Sequence, residues 1–401
     1  MEVMARVREM PGRVVACLLA FLVAGCAGNP APLQPSSAAH ASLPAAQRLP
    51  AKAWLNMPDT ASGRIPVLLS QTGAFAASRQ LEPARTLLPY DLVLAFWSDG
   101  AEKTRYVVIP PDGKVAFSPT GDWTFPPGTV FVKTFELPID ATQPHLTRRL
   151  ETRLLVVDRN GGVYGVTYKW RADLSDADLV AAAGLRENIT VRDAAGTHVQ
   201  SWYYPSREDC LVCHNSHTQG ALGPKTRQLN RDLRYPDGVT ENQLRRWNRL
   251  GLLDPALDEH DIASFPTLAR SDDTTRPLED RARSWLDANC AHCHRPGGTV
   301  ANFDARYETP LAQQHLIDGP VLIDENVDRA RVISPPDPWR SVALMRVDTN
   351  GDIRMPPLAR NTIDTQGAAL LRNWIESLRA VMCYHRRRSR RQAATSSIPS
   401  A

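Results

Sequence analysis

The sequence predicts a multidomain chain: a β-rich, sandwich-like N-terminal domain followed by α-helical regions, each built on a C-x-x-C-H pentapeptide. Three observations lead there. Between about 51 and 200, short runs of β-branched and aromatic residues are separated by Gly/Pro turns. Beyond 201, apolar residues fall at helical spacing. Cys210-Leu-Val-Cys213-His214 and Cys290-Ala-His-Cys293-His294 then repeat one pattern in a chain that holds only seven cysteines.

The N-terminus reads as an export signal. Arg6, Arg8 and Arg13 form a basic stretch, and Val14 to Ala24 is an apolar run too short to span a bilayer. It ends in Val23-Ala24-Gly25-Cys26, which resembles the lipobox of bacterial lipoproteins. That resemblance implies cleavage after residue 25 and acylation of Cys26. Several acyl chains on one residue anchor stably where one chain does not. Ala27, in place of Asp, points to the outer membrane. Residues 26–50 are rich in Ala, Pro and Ser and read as a tether.

In the 51–200 region, Arg105 to Ile109 and Lys114 to Phe117 flank a Pro-Pro-Asp-Gly turn. Thr129 to Leu137 alternates apolar with polar residues. Glu151 to Val157 and Val163 to Trp170 flank Asn160-Gly161-Gly162, a hairpin signal. Residues 201–265 hold the first pentapeptide and a predicted helix over Glu241 to Leu252. Residues 272–382 hold a predicted helix over Arg281 to Asn289, the second pentapeptide, and a terminal helix over Thr365 to Leu378 with Leu370, Leu371, Trp374 and Leu378 on one face. Five arginines at 386–391 outweigh the net charge of +4, so the basic balance belongs to the 383–401 tail.

C-x-x-C-H is the pattern of covalent c-type haem attachment: two thiols take the vinyl groups and the histidine is the proximal iron ligand. Zinc ribbons and thioredoxin-like sites also use C-x-x-C. A ribbon separates its pairs by roughly 15–20 residues, far fewer than here, and a thioredoxin motif needs a βαβ setting that is missing. Neither needs His214 or His294. Two covalent haems are therefore expected, attached at Cys210, Cys213, Cys290 and Cys293. Cys17 leaves with the signal peptide, and Cys383 is left as an idle thiol.

Helix, pentapeptide, loop, Arg354-Met355-Pro356-Pro357 and final helix resemble the mitochondrial-type cytochrome c fold, which implies Met355 as distal ligand of the second haem. For the first haem the sequence leaves bis-His ligation, Met345 from the other region, or an open position. His292 is expected to face solvent. Further phrases, including Leu88-Pro-Tyr-Asp91, Trp97-Ser-Asp-Gly-Ala-Glu-Lys103, Tyr204-Pro-Ser-Arg207 and Arg331-Val-Ile-Ser-Pro335, resemble a bacterial family of dihaem c-type cytochrome lipoproteins. Related modules are fused to quinoprotein sugar dehydrogenases, and the likeness spans about 65–380. It implies a periplasmic electron carrier whose partners are redox proteins, such as a quinoprotein dehydrogenase. The alternative is a peroxidase-like enzyme with an open first haem. Nucleic acid is not an expected partner of an exported haem protein.

Overall fold

The run Val130–Pro138 shows how this sequence makes its sheet. Val130 and Val132 turn to one side and are fully buried, while Phe131, Lys133 and Phe135 turn to the other, the period-two alternation of a strand. The computed structural model describes residues 55–378 apart from 144, 300, 301 and 359. The expected signal peptide, Cys26, the tether, Cys383 and the basic tail lie outside the described residues.

Six strands follow one another in space as in sequence: Leu88–Pro89 (β1), Glu102–Val108 (β2), Val130–Pro138 (β3), Thr147–Val157 (β4), Val163–Trp170 (β5) and Ala177–Leu179 (β6). All their pairings are antiparallel. The expected turn at 160–162 joins β4 to β5, with Gly161 at φ 81°, a left-handed value that suits glycine. One face of the sheet packs Val108, Val132, Leu154, Val156 and Val166 against Leu55, Leu69 and Phe75. A separate hairpin, Leu185–Asp193 (β7) with Gly196–Tyr204 (β8), lays Ile189, Val191, Trp202 and Tyr204 against Phe135, Leu137 and Leu150.

Arg207–Cys213 (α1) leaves this hairpin directly. Gln243–Arg249 (α2) buries Leu244 and Trp247 against Phe125, Phe131 and Tyr90. Leu278–Asn289 (α3), Val342–Val347 (α4) and the helix 365–378 (α5) share a third apolar cluster, centred on Trp285, Leu286, Leu371 and Trp374. Burying each such side chain contributes about 2–3 kcal/mol. Among the described residues, no helix is long and apolar enough to cross a membrane.

The expected β-rich region is present, but the expected multidomain plan is not. In place of a sandwich there is one six-stranded sheet with small two-stranded ribbons. In place of separate helical haem regions, the last with a mitochondrial-type cytochrome c fold, all described residues belong to one compact unit. Among them only α3 and α5 exceed seven helical residues. The physical reason lies in the contacts. Helices as short as α1 and α2 cannot enclose a core alone; the sheet packs against α1 and covers the Leu244 and Trp247 face of α2. The loop before β2 also ties in the C-terminal part. Trp97 donates to Asn289 Oδ1 at 2.8 Å and to the Thr362 carbonyl at 3.1 Å. The buried Asp99 carboxylate accepts from the backbone N–H of Asn361 and Thr362 at 2.6 and 2.8 Å.

Candidate cofactor-binding site

The first pentapeptide begins with a cap. Ser206 Oγ accepts from the Asp209 N–H at 3.0 Å, and Asp209 Oδ2 accepts from the Ser206 N–H at 2.8 Å and from the Tyr203 hydroxyl at 2.6 Å. This fixes the start of α1. Residues three apart on a helix share a face, so Cys210 and Cys213 turn inward while Leu211 and Val212 are 46% and 51% exposed. Gly165 makes the close approach possible. A Cβ there would sit 2.6 Å from Cys210 Sγ and 2.9 Å from Cys210 Cβ.

His214 closes the turn, its N–H donating to the Cys210 carbonyl at 2.9 Å. Its Nδ1 lies 2.7 Å from the Gly220 carbonyl. A carbonyl only accepts, so Nδ1 carries the proton and Nε2 keeps a free lone pair, the tautomer of a metal-binding imidazole. Burial first, then Lys133, pushes the His214 imidazole down to about 3, keeping it neutral.

The second pentapeptide repeats the turn. The His294 N–H donates to the Cys290 carbonyl at 2.8 Å, and α3 supplies the preceding helix. The His294 ring stacks on Phe303, with centroids 4.4 Å apart and planes 15° from parallel, and its buried Nδ1 has no hydrogen-bond partner. Burial raises the Cys290 thiol to about 12, and Cys290 packs beside the third apolar cluster. The Met355 N–H donates to the Arg346 carbonyl at 2.8 Å, and the charge of Arg346 reaches His294. Pro356, Pro357 and Leu358 continue into the wall of a cavity.

That cavity joins the two motifs. Cys210, Cys213 and His214 line it together with His292 and Cys293, while the sheet contributes Lys133, Arg153 and Gly165. Cys213 Sγ, Cys293 Sγ and a His292 ring nitrogen all lie within 4.8 Å of one another. The expectation that His292 faces solvent is therefore corrected: it is half-buried, edge-on to Phe96 at 5.3 Å, and turned toward the thiols. The close approach of the two thiols splits them: Cys293, facing Cys213 and His292, is drawn down, while Cys213 is raised.

Sequence reasoning missed the sheet's share of this cavity. Arg105 opposes Lys133, which opposes Arg153, across β2, β3 and β4. Burial, then Arg153 and Arg105, pushes the Lys133 ammonium down to about 7. Two signals were available: a lysine between Phe131 and Phe135 on one strand face, and a glycine inside the β5 run.

The residues at the first pentapeptide fit a c-type haem: two thiols on one face, an imidazole with Nε2 free, and a cleft with an apolar wall of Leu155, Phe131 and Leu222. The second has the thiols and the histidine, but lacks a carbonyl partner like the one that orients His214. Comparisons with protein-family models, curated proteins and solved structures give no match.

Proposed function

We propose that the chain is a dihaem c-type cytochrome that carries electrons between redox proteins in the bacterial periplasm, held to the membrane through lipid on Cys26. The observation that carries this reading is the shared geometry of the pentapeptides. In each, the histidine N–H bonds back to the first cysteine carbonyl, at 2.9 and 2.8 Å, and the motifs meet at Cys213 and Cys293. Cys210 and Cys213 with His214 would hold one haem, and Cys290 and Cys293 with His294 the other, with Met355 as second ligand there. A c-type haem supplies one-electron iron chemistry. The protein's part is to orient the imidazoles, exclude water from the cleft and set the charge around it. Adjacent attachment points support two centres that work as a pair, between a donor such as a quinoprotein dehydrogenase and a respiratory acceptor.

The test is maturation in a host that attaches haem. Two covalent haems per chain are expected, falling to one in Cys210→Ser/Cys213→Ser and to one in Cys290→Ser/Cys293→Ser. Cys26→Ser should release the protein from the membrane fraction. A chain with no covalent haem sinks the proposal.

The Cys213–His292–Cys293 cluster favours one second reading, a thiolate–imidazole metal site. It leaves Cys210, His214, Cys290 and His294 without a task. One zinc per chain in place of iron would decide for it.

A further inference from the structure

We propose that Arg105, Lys133 and Arg153 form a carboxylate-binding row on the sheet wall of the cavity. Its fitting occupant is the propionate pair of the haem held at Cys210 and Cys213, and that assignment of source rests on the dihaem reading.

The register carries the argument. Directly opposed residues on three neighbouring antiparallel strands bring three cationic side chains to one face, inside a cavity instead of into bulk water. Like charges so placed repel and are costly to desolvate unless anions pair with them. Two of the three have such partners. Arg105 pairs with Asp91 at 2.9 Å, and Arg153 with Glu151 at 2.5 Å. Lys133, in the middle, forms no ion pair or hydrogen bond among the described residues, and of carboxylates only the charge of Glu151, already paired with Arg153, acts on it. What it has is a ring: its ammonium lies 5.3 Å from the centroid of Phe135, which also takes the Arg153 guanidinium at 4.4 Å. Ring faces offset part of the charge, and a carboxylate would offset the rest.

Chemistry of the row narrows the ligand. Guanidinium forks bind planar carboxylates in two-point fashion, and a central ammonium adds a third donor. The same cavity wall presents both thiols of the first pentapeptide and His214, so a haem joined there would have its carboxylates within the same enclosure. A free dicarboxylate offers the same chemistry from a second source.

Two arms separate the sources. In the first, matured protein is compared with Lys133→Met and Lys133→Arg. The propionate bending bands of the resonance Raman spectrum should shift in Lys133→Met, with a lower midpoint potential for one haem, and Lys133→Arg should restore both. In the second, the Cys210→Ala/Cys213→Ala protein, which lacks only the first haem, is titrated calorimetrically with succinate. Adding Lys133→Met there should weaken binding about tenfold or more. A response in the first arm assigns the row to propionates, and binding in the second alone assigns it to a free carboxylate. Unchanged Raman bands together with no succinate binding overturn the row. A parent chain without covalent haem instead overturns the dihaem reading, and the succinate arm then decides the row by itself.

Discussion

Replacing Gly165 by alanine tests how closely α1 is fitted to the sheet. The new methyl would lie 2.6 Å from Cys210 Sγ and 2.9 Å from Cys210 Cβ, where ordinary contact begins at 3.4 Å. The sulfur can rotate away. The Cβ cannot, because it moves only with the helix backbone, so α1 must lift by about 0.5 Å to clear it. Neither side yields easily. Gly165 is held in register opposite Leu155, and α1 is pinned by Ser206 and Asp209 at its start and by His214 on Gly220 at its end. Overpacking of this kind costs about 1–3 kcal/mol, while the stiffer unfolded chain returns about 0.4–1 kcal/mol. A net loss of about 1–2 kcal/mol is expected in urea denaturation followed by tryptophan fluorescence. Covalent haem at the first pentapeptide should fall while the second keeps its share. Unchanged stability with full occupancy at both would refute the close-fit argument.

Other perturbations address the ties around the site. Lys225 and Asp287 form a buried pair, Nζ to Oδ1 2.7 Å, with side chains 10% and 1% exposed; Lys225→Met strands the carboxylate and should cost about 3–5 kcal/mol, with Lys225→Met/Asp287→Leu recovering most of it in the same denaturation assay. Asp99→Ala removes the acceptor for two backbone N–H groups, Asn361 Nδ2 and the Thr362 hydroxyl. It should cost about 2–4 kcal/mol and speed amide exchange at 361–362 first; uniform exchange across the chain would contradict that. Glu187 concerns pH. Burial raises its carboxyl, but hydrogen bonds from Tyr204, Arg148 and Lys169 outweigh it and hold the value below the ordinary 4.5. A depressed folded value stabilises above the unfolded one and fades as pH falls through the folded one. Glu187→Gln should therefore flatten the acid limb of stability as pH falls below the ordinary 4.5, by under about 1 kcal/mol since the pair is partly solvated. An unaltered acid limb counts against this role.

Local chemistry was legible in the sequence, and its enclosure was not. Val163–Trp170 and the Gly161 turn follow from alternation and turn residues that act within a few positions. The helix into Cys290 follows from spacing, and observed α3 adds only Leu278 to Asp280 at its start. Both pentapeptides announce their thiols and histidines by pattern alone. Which face of each helix meets which face of the sheet depends on contacts more than a hundred residues apart, such as Leu94 to Gln228 and Trp97 to Thr362. Periodicity carries no record of those. The same limit hid His292: position inside C-x-x-C suggested an outward side chain, and only the approach of Cys213 turns it inward. Lys133 shows the intermediate case. Its strand parity was readable, but that its face borders a cavity was not.

The hydrogen bonds of Trp97 and Asp99 to residues near 361 have a consequence for how such a protein can be divided or inherited. Excising 272–382 as a stand-alone cytochrome would cut these bonds and the Lys225–Asp287 pair, and would strip Arg295 of Asp122 and of the His217 carbonyl. The fragment would expose stranded charges where the intact chain has interior. Gene fusion or exchange could move this arrangement only as one block, sheet and both pentapeptides together. Its parts are not interchangeable modules, although their sequences read as if they were.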